Sequence, residues 1–123
     1  MVPTFLPGQT VQIDRSACHH RLPMRLEIVV FQSPFLANKP LLKRIIGLPG
    51  EIVKITQGRI FINECLLSEP YVEADNQLDP ALDLEWALDQ DEYFTLGDNR
   101  RDSLDSRRLG PIRKVWIYGV VAP

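Results

Sequence analysis

One lysine stands where a charged side chain is unexpected. The run Leu41–Ile46 reads Leu-Leu-Lys-Arg-Ile-Ile and stops at the turn Gly47–Gly50, so it predicts a short buried strand. Because strand side chains alternate between faces, Lys43 and Arg44 must point in opposite directions, at least one of them toward apolar surroundings. Desolvation disfavours a lysine ammonium, whose ordinary pKa is about 10.4. Lys43 is therefore a candidate general base, or else an edge-strand lysine that deters aggregation.

A dense polar stretch, Gly97–Arg108, is the second candidate for chemistry. It concentrates hydroxyls, carboxylates and guanidiniums, and its Gly, Asp and Asn residues suit tight backbone turns. Asp105 and Arg107 could form a charge-assisted pair that fixes the loop. Taken alone, the stretch could equally be a solvated surface loop.

The Cys and His residues favour neither a metal site nor a histidine-based catalytic triad. Cys18, His19 and His20 are adjacent, and three adjacent side chains cannot all face one ion without unusual backbone geometry. The two histidines are the only ones and fall in an expected loop among Arg, Ser and Pro. Cys65 has no CxxC partner, so both thiols are expected to be free. We expect no metal and no cofactor.

Length and composition indicate one ordinary globular domain. The chain has 123 residues, 45% hydrophobic and 24% charged, enough for one core. Its net charge of −2 and dispersed basic residues argue against nucleic acid as a partner. No apolar run approaches the roughly 18 residues of a membrane span, and the first residues lack the pattern of a signal peptide. For these residues alone we expect no targeting or membrane segment.

Short apolar and alternating runs predict a series of β-strands rather than helices. They are Thr10–Asp14, Arg25–Phe31, Leu41–Ile46, the hairpin Glu51–Thr56 with Arg59–Ile62, a short extension at Leu66–Leu67, Glu92–Leu96 and Val115–Val121. Residues 68–91 are expected to form an irregular insertion or small cap, with one helical turn between Pro80 and Leu88. The prediction is a single all-β domain over residues 1–123, a barrel-like set of antiparallel sheets.

Four stretches, in this order, resemble signatures of the bacterial type I signal peptidases, which are serine endopeptidases with a Ser/Lys dyad. They are Met1-Val2-Pro3-Thr4, Leu26–Phe31, Lys43–Glu51 and Gly97–Arg107, matching the patterns Ser-Met-x-Pro-Thr, xGDIVVF, KRxIGLPGD and GDNRxxSxDSR. The match runs over nearly the whole chain and is highly specific. It implies the all-β fold of that catalytic domain and a hydrolase that removes signal peptides from exported preproteins without a cofactor.

The resemblance also implies roles for individual residues. Lys43 would be the general base, and Ser103 would hydrogen-bond its amine and aim it. Support for the loop would come from Asp98, Asn99, Arg100, Asp105 and Arg107. A shallow apolar pocket for the small residue at the cleavage position would be lined by Met1, Phe5 and Leu42. The signal peptide would lie extended against strand edges, held by main-chain hydrogen bonds.

In the family, the nucleophilic serine directly precedes the methionine of Met-x-Pro-Thr, and here that methionine is Met1. We therefore expect residues 1–123 to lack the nucleophile, the upstream hydroxyl of the oxyanion hole and the N-terminal membrane anchor, and to show little or no peptidase activity alone. Truncation of a longer protease and true loss of catalysis both remain open. Ser16, Ser103 and Ser106 are not expected to replace the nucleophile.

For the full-length family protein, the resemblance implies association with a membrane on its extracytoplasmic face. Two other functions remain open: a non-catalytic module that binds exported peptides or partner proteases on the same surface, and a self-cleaving repressor-type Ser/Lys domain. The loop Gly97–Arg107 argues against the second. Gly8-Gln9 and Leu26-Glu27 replace Gly-Asp pairs of the family at backbone turns, which leaves the local backbone geometry open there but not the chemistry.

Overall fold

The computed structural model describes residues 13–14, 22–36, 39–72, 77–101 and 103–121. Within these ranges the chain forms strands joined by short connections, with one short α-helix and one 3-10 helix. The strands are β1 (Ile13–Asp14), β2 (Ile28–Phe31), β3 (Leu41–Gly47), β4 (Ile52–Thr56), β5 (Arg59–Ile62), β6 (Cys65–Leu66), β7 (Leu84–Ala87), β8 (Glu92–Leu96), β9 (Ile112–Arg113) and β10 (Ile117–Val121). The helices are α1 (Ser106–Leu109) and the 3-10 helix Lys114–Trp116.

The strands form two antiparallel sheets. One has the order β1-β10-β2-β3-β8-β9 and the other the order β6-β5-β4-β7. The all-β prediction is confirmed. The residues that the structure describes form two open sheets and no closed barrel, so "barrel-like" holds only in the loose sense of folded antiparallel sheets.

In the larger sheet β3 is one of the two middle strands, and it lies between β2 and β8. Lys43 is opposite Val29 of β2, and Arg44 is opposite Leu96 of β8. Large aliphatic residues dominate β3, and its two neighbours satisfy its backbone hydrogen bonds, which is why so apolar a segment can be buried. The strand predicted from the sequence is confirmed, and it places its basic pair in the interior of the sheet.

Two apolar clusters surround this strand. The first joins the inner face of the smaller sheet to β3 and β8 and contains Ile46, Val53, Ile55, Ile60, Ile62, Leu78, Leu88, Phe94 and Leu96. The second lies within the larger sheet and contains Val29, Phe31, Leu41, Ile45, Tyr93, Ile112, Ile117 and Val120. β3 contributes to both clusters, so its two faces are both covered by side chains.

The hairpin of β4 and β5 has the turn that its sequence predicts. Gln57 and Gly58 both have positive φ, 51° and 73°, as a two-residue type I′ turn requires. The pairing Thr56↔Arg59 follows directly from that turn. Outward-facing Lys54 alternates with the buried Val53 and Ile55, as expected for a half-buried strand.

The insertion between β6 and β8 differs from the expectation. The helical turn predicted between Pro80 and Leu88 is wrong, because Leu84–Ala87 is a strand that pairs with β4 along the edge of the smaller sheet. The apolar residues here recur at every second position, which is the spacing of a strand. They are Leu82, Leu84, Trp86 and Leu88. Leu78 of the same insertion is buried in the first cluster.

The start of β2, the start of the last strand and the polar loop also differ from the prediction. β2 begins at Ile28 and not at Arg25, because Leu26 has φ +70° in a turn that ends before the strand. The last strand begins at Ile117, since the preceding residues form the 3-10 helix. The polar stretch Gly97–Arg108 is not all loop, because α1 begins inside it. The predicted strand residues Thr10–Gln12 lie outside the described residues.

The backbone geometry at Leu26-Glu27, which the sequence left open, is a turn with a positive φ at Leu26. Leu26 has a left-handed backbone, which a branched side chain seldom adopts and for which the family's glycine is suited. Two contacts hold it there: its N–H donates to Ile45 O at 2.8 Å, and its carbonyl accepts from Arg44 Nη1 at 2.9 Å. The contacts of the strand that carries Lys43 therefore fix this turn.

Candidate active site

Lys43 projects from β3 toward the polar loop that follows β8. It shares its face of β3 with the buried residues Leu41 and Ile45, and it is itself only 9% exposed. Its Nζ donates a hydrogen bond to Ser103 Oγ at 2.8 Å. An amine and a hydroxyl that are 60 positions apart in the sequence therefore meet in a largely dehydrated place.

Gly97 makes this meeting sterically possible. It follows β8 directly, and a Cβ built on it would lie 2.0 Å from Ser103 Oγ and 3.4 Å from Lys43 Nζ. Atoms cannot approach to 2.0 Å without a bond, so any side chain here would displace Ser103. The glycine was noted from the sequence as a turn residue, whereas its structural requirement is the close approach of another chain segment.

Asp105 ties the two ends of the loop together. The buried carboxylate accepts from Gly97 N–H at 2.9 Å and from Arg107 Nε and Nη2 at 2.9 and 2.8 Å. It also caps α1 by accepting from Arg107 N–H. Burial raises the pKa of Asp105, but the hydrogen bonds and charge of Arg107 and the backbone N–H groups outweigh that effect and hold the pKa below its ordinary value. The Asp105–Arg107 pair expected from the sequence is present.

Arg44 leaves the other face of β3 and forms a bidentate pair with Asp98. Its Nε and Nη2 lie 2.9 and 2.6 Å from the two carboxylate oxygens. The Asp98 carboxylate is fully buried. Because Asp98 follows Gly97, this pair fixes the start of the loop from the side opposite Lys43.

Arg100 is the most deeply buried cation of the loop, with a side chain that is 0% exposed. Its Nε donates to Gly97 O at 2.8 Å, and both terminal nitrogens donate to the carboxylate of Glu69. Arg107 Nη1 in turn donates to Arg100 O at 2.7 Å. Tyr71 OH donates to Glu69 as well, so the insertion after β6 contacts the loop after β8.

Sequence reasoning missed Glu69 and Tyr71, and it did not assign Arg44 to Asp98. The one available signal was that Arg44 had to point away from Lys43 and would need its own carboxylate if buried. Glu69 and Tyr71 fall in a segment treated as an irregular excursion, where no periodicity marked them as part of the site.

Two other predicted site residues lie within the described ranges, and two do not. Asn99 and Leu42 are half-buried. Met1 and Phe5, and the run Cys18-His19-His20, lie outside the described residues. Among the residues described, no group of three or more His, Cys, Asp or Glu side chains is arranged to hold a metal ion. No helix in the described ranges is long and apolar enough to cross a membrane.

Chemically, the arrangement is a buried primary amine with a hydroxyl to orient it, on a loop fixed by three ion pairs. They are Arg44–Asp98, Arg100–Glu69 and Arg107–Asp105. Burial disfavours the charged form of an amine, and a neutral amine can accept a proton. Such a group needs only a hydroxyl nucleophile at its side to activate it as a general base.

Comparison with known proteins identifies the same family as the four sequence stretches. Residues 1–122 match the model of the family described as signal peptidase, peptidase S26. Signal peptidase I V of Bacillus subtilis is 33% identical over 99% of this chain and 78% of its own length. Signal peptidase I of Leptolyngbya laminosa is 34% identical, with 97% of this chain matched to only 61% of that protein.

The fold comparison agrees. The crystal structure of a signal peptidase I from Enterococcus faecalis superposes with a TM-score of 0.71 at 31% identity, covering 83% of this chain and 98% of that one. The resemblance inferred from the four sequence motifs is thereby confirmed. This chain belongs to the signal peptidase family, peptidase S26.

Proposed function

We propose that this chain forms the catalytic domain of a signal peptidase I-type serine endopeptidase that removes signal peptides from exported preproteins. The substrate would be an extended peptide with small residues before the cleaved bond, bound against strand edges. The full-length protein would act at the extracytoplasmic face of a membrane, held there by an N-terminal anchor. Family membership supports the class of reaction, and the site geometry supports the roles proposed for individual residues.

In this proposal Lys43 acts as the general base. Its neutral amine takes the proton from the serine that the family places directly before Met1, and the resulting alkoxide attacks the peptide carbonyl. The protonated amine then donates that proton to the departing amino group, and a water molecule activated in the same way releases the acyl chain. Ser103 holds the amine in the orientation that both steps need.

The single observation that carries the proposal is the hydrogen bond of 2.8 Å between Lys43 Nζ and Ser103 Oγ at a site where the lysine is 9% exposed. A lysine kept only for solubility would extend into solvent. A lysine that is buried and aimed by a hydroxyl has the two properties that a general base requires.

The activity test uses the chain extended at its amino terminus by the expected serine and a membrane segment, with a signal peptide substrate. Lys43→Ala should reduce kcat by roughly 1,000-fold or more, because general-base catalysis is removed. Lys54→Ala is the matched control, since Lys54 is an exposed strand lysine on β4, and it should leave kcat unchanged. Full activity of the Lys43→Ala protein would refute the assignment of the base.

The same assay with residues 1–123 alone tests the role of the preceding serine. We expect no measurable cleavage, because no serine within this range is placed as a substitute nucleophile in the proposal. Cleavage by residues 1–123 would show that expectation to be wrong. Peptide binding that is retained while the serine-extended protein stays inactive would favour the non-catalytic binding module instead.

A further inference from the structure

A cluster of two arginines, two carboxylates and one tyrosine lies behind the loop that carries Ser103. We call it the arginine cluster, and it comprises Arg44, Asp98, Arg100, Glu69 and Tyr71. Three of its members belong to β3 and the loop after β8, which the sequence motifs already marked. The other two come from the insertion after β6, which the sequence analysis treated as irregular and to which no function has been assigned above.

Glu69 supplies the charge that the buried Arg100 requires. The Arg100 side chain is 0% exposed, and Glu69 is 13% exposed. The contact is bidentate, so both terminal nitrogens of the guanidinium are satisfied by one carboxylate. A buried guanidinium that loses its carboxylate is strongly destabilised, and it will move toward water if the chain allows it.

Tyr71 connects this ion pair to the other one. Its hydroxyl donates a hydrogen bond to Glu69. The centroid of its ring lies 4.0 Å from Arg44 Cζ and 6.0 Å from Arg100 Cζ. Burial and the hydrogen bond to Glu69 raise the Tyr71 pKa, so the hydroxyl stays protonated and remains a donor at physiological pH. The tyrosine thus contacts a cation that belongs to β3 and a carboxylate that fixes the loop.

Arg100 transmits this support to Lys43 through one peptide unit. Its Nε donates to the carbonyl of Gly97, whose Cα is the close neighbour of both Ser103 and Lys43 Nζ. The N–H of Gly97 is held by Asp105. If Arg100 moves, the Gly97 carbonyl loses its hydrogen bond to Arg100 Nε. The separation of Lys43 Nζ and Ser103 Oγ is then no longer fixed.

We propose that Glu69 and Tyr71 are positioning residues, which hold the Gly97 backbone through Arg100 and so keep the Lys43 amine aligned with Ser103. The inference rests on the proposed function, because it assigns Lys43 the role of general base. Neither residue touches the reacting atoms. Their contribution is to keep the space around Lys43 dry and its partner in place.

The test measures the titration of the Lys43 amine by NMR in Glu69→Gln and Tyr71→Phe proteins. If Glu69 acts by positioning, loosening of the loop lets water reach Lys43, and its midpoint should rise by about one pH unit toward that of an ordinary lysine. Loss of a negative charge alone has the opposite effect, since it would lower the midpoint. Tyr71→Phe removes one hydroxyl without a change of charge, so a rise there, even a smaller one, can come only from positioning.

Glu51→Gln is the matched control. Glu51 forms the same kind of bidentate pair, with Arg25 at 2.7 and 2.6 Å, outside the arginine cluster. Both Glu51→Gln and Glu69→Gln should lower the melting temperature, but Glu51→Gln should not move the Lys43 midpoint. In the serine-extended enzyme, Glu69→Gln should reduce kcat roughly tenfold or more with KM unchanged, whereas Glu51→Gln should leave both unchanged.

Several results would overturn the inference. An unchanged Lys43 midpoint in folded Glu69→Gln and Tyr71→Phe proteins would show that the cluster only adds stability, and a midpoint that falls in Glu69→Gln would show that Glu69 acts through its charge. If Glu69→Gln does not fold, Tyr71→Phe decides the matter alone. An ordinary lysine titration already in the unmodified protein would instead contradict the proposed function, so the two failures can be told apart.

Discussion

At the scale of single residues, the site depends on how closely three groups approach one another. Lys43 Nζ, Ser103 Oγ and the Cα of Gly97 occupy a space with no room for one further methyl group. Close packing of this kind restricts the orientation of the amine and adds to the effect of its hydrogen bond. A minimal test is therefore to add that methyl group.

Gly97→Ala should displace Ser103, since the new Cβ would lie 2.0 Å from its Oγ and 2.6 Å from its Cβ. Overpacking of this size costs about 1–3 kcal/mol of unfolding free energy. The double variant Gly97→Ala with Ser103→Gly removes both clashing atoms. Urea unfolding should show the stability largely restored in the double variant, while the enzyme assay shows activity lost in both. Equal stability of the single variant and the unmodified protein would contradict this account.

The pairing of Lys43 with Ser103 could not be derived from the sequence by physics alone. The buried strand indicated an anomalous lysine, but nothing in the pattern of residues indicated which of several hydroxyls would meet it across 60 positions. Resemblance to a family supplied that partner. Neither the residue pattern nor the resemblance pointed to Glu69. Its role is to pair with Arg100, and the burial of Arg100 is visible only in the folded chain.

At the scale of elements, α1 and the loop before it form one unit. Thr95 N–H at the end of β8 donates to Ser106 Oγ at 2.9 Å, and Asp105 caps the helix and holds Gly97. A helix of four residues is not stable on its own. Its formation depends on this capping carboxylate and on its attachment to β8, so the loop should be sensitive to the charge of Asp105.

Acid should therefore loosen this unit as Asp105 becomes protonated. The pKa of Asp105 is lower in the folded protein than its ordinary value, so its contribution is fully present above about pH 4 and is lost as the pH falls through the lower folded pKa. Asp105→Asn should cost roughly 3 kcal/mol at neutral pH, because Arg107 loses its carboxylate. Its urea midpoint should then fall less steeply than that of the unmodified protein between about pH 5 and pH 2. Parallel curves would show that Asp105 is not the responsible group.

Most of the strands were predictable because their apolar residues alternate and their turns carry suitable residues, as at Gln57-Gly58. The strand β7 was missed although Leu82, Leu84, Trp86 and Leu88 alternate as a strand should. Prolines and acidic residues around them suggested an excursion. β7 is an edge strand, in which Leu84 is half-buried and Trp86 is exposed. The helix α1 was hidden because its polar residues serve the site and carry no helical periodicity.

At the scale of the whole molecule, the site is built where the two sheets are joined. The loop with Ser103 follows β8 of the larger sheet, and Glu69 follows β6 of the smaller one. The first apolar cluster holds the sheets together, so it also fixes the distance between these two segments. Loss of core packing should therefore weaken the site, although the core residues take no part in the proposed chemistry.

Phe94→Ala removes a fully buried ring from that cluster and should cost about 4 kcal/mol of unfolding free energy. Phe35→Ala is the matched control, because the Phe35 side chain is 80% exposed. Its ring contacts Trp116 edge-on, so its removal should change stability by no more than about 1 kcal/mol. Chemical denaturation of both variants measures the difference. Similar costs for the two substitutions would contradict the arrangement of the core.

The central claim is that Lys43 is held as a neutral amine by burial and by Ser103. NMR titration of its side chain in this chain, assigned with a Lys43→Arg protein, measures this directly and needs no nucleophile or substrate. The account predicts a midpoint well below the value of about 10.4 for an ordinary lysine, because the surroundings are largely dehydrated. A midpoint at the ordinary value in the folded protein would contradict it.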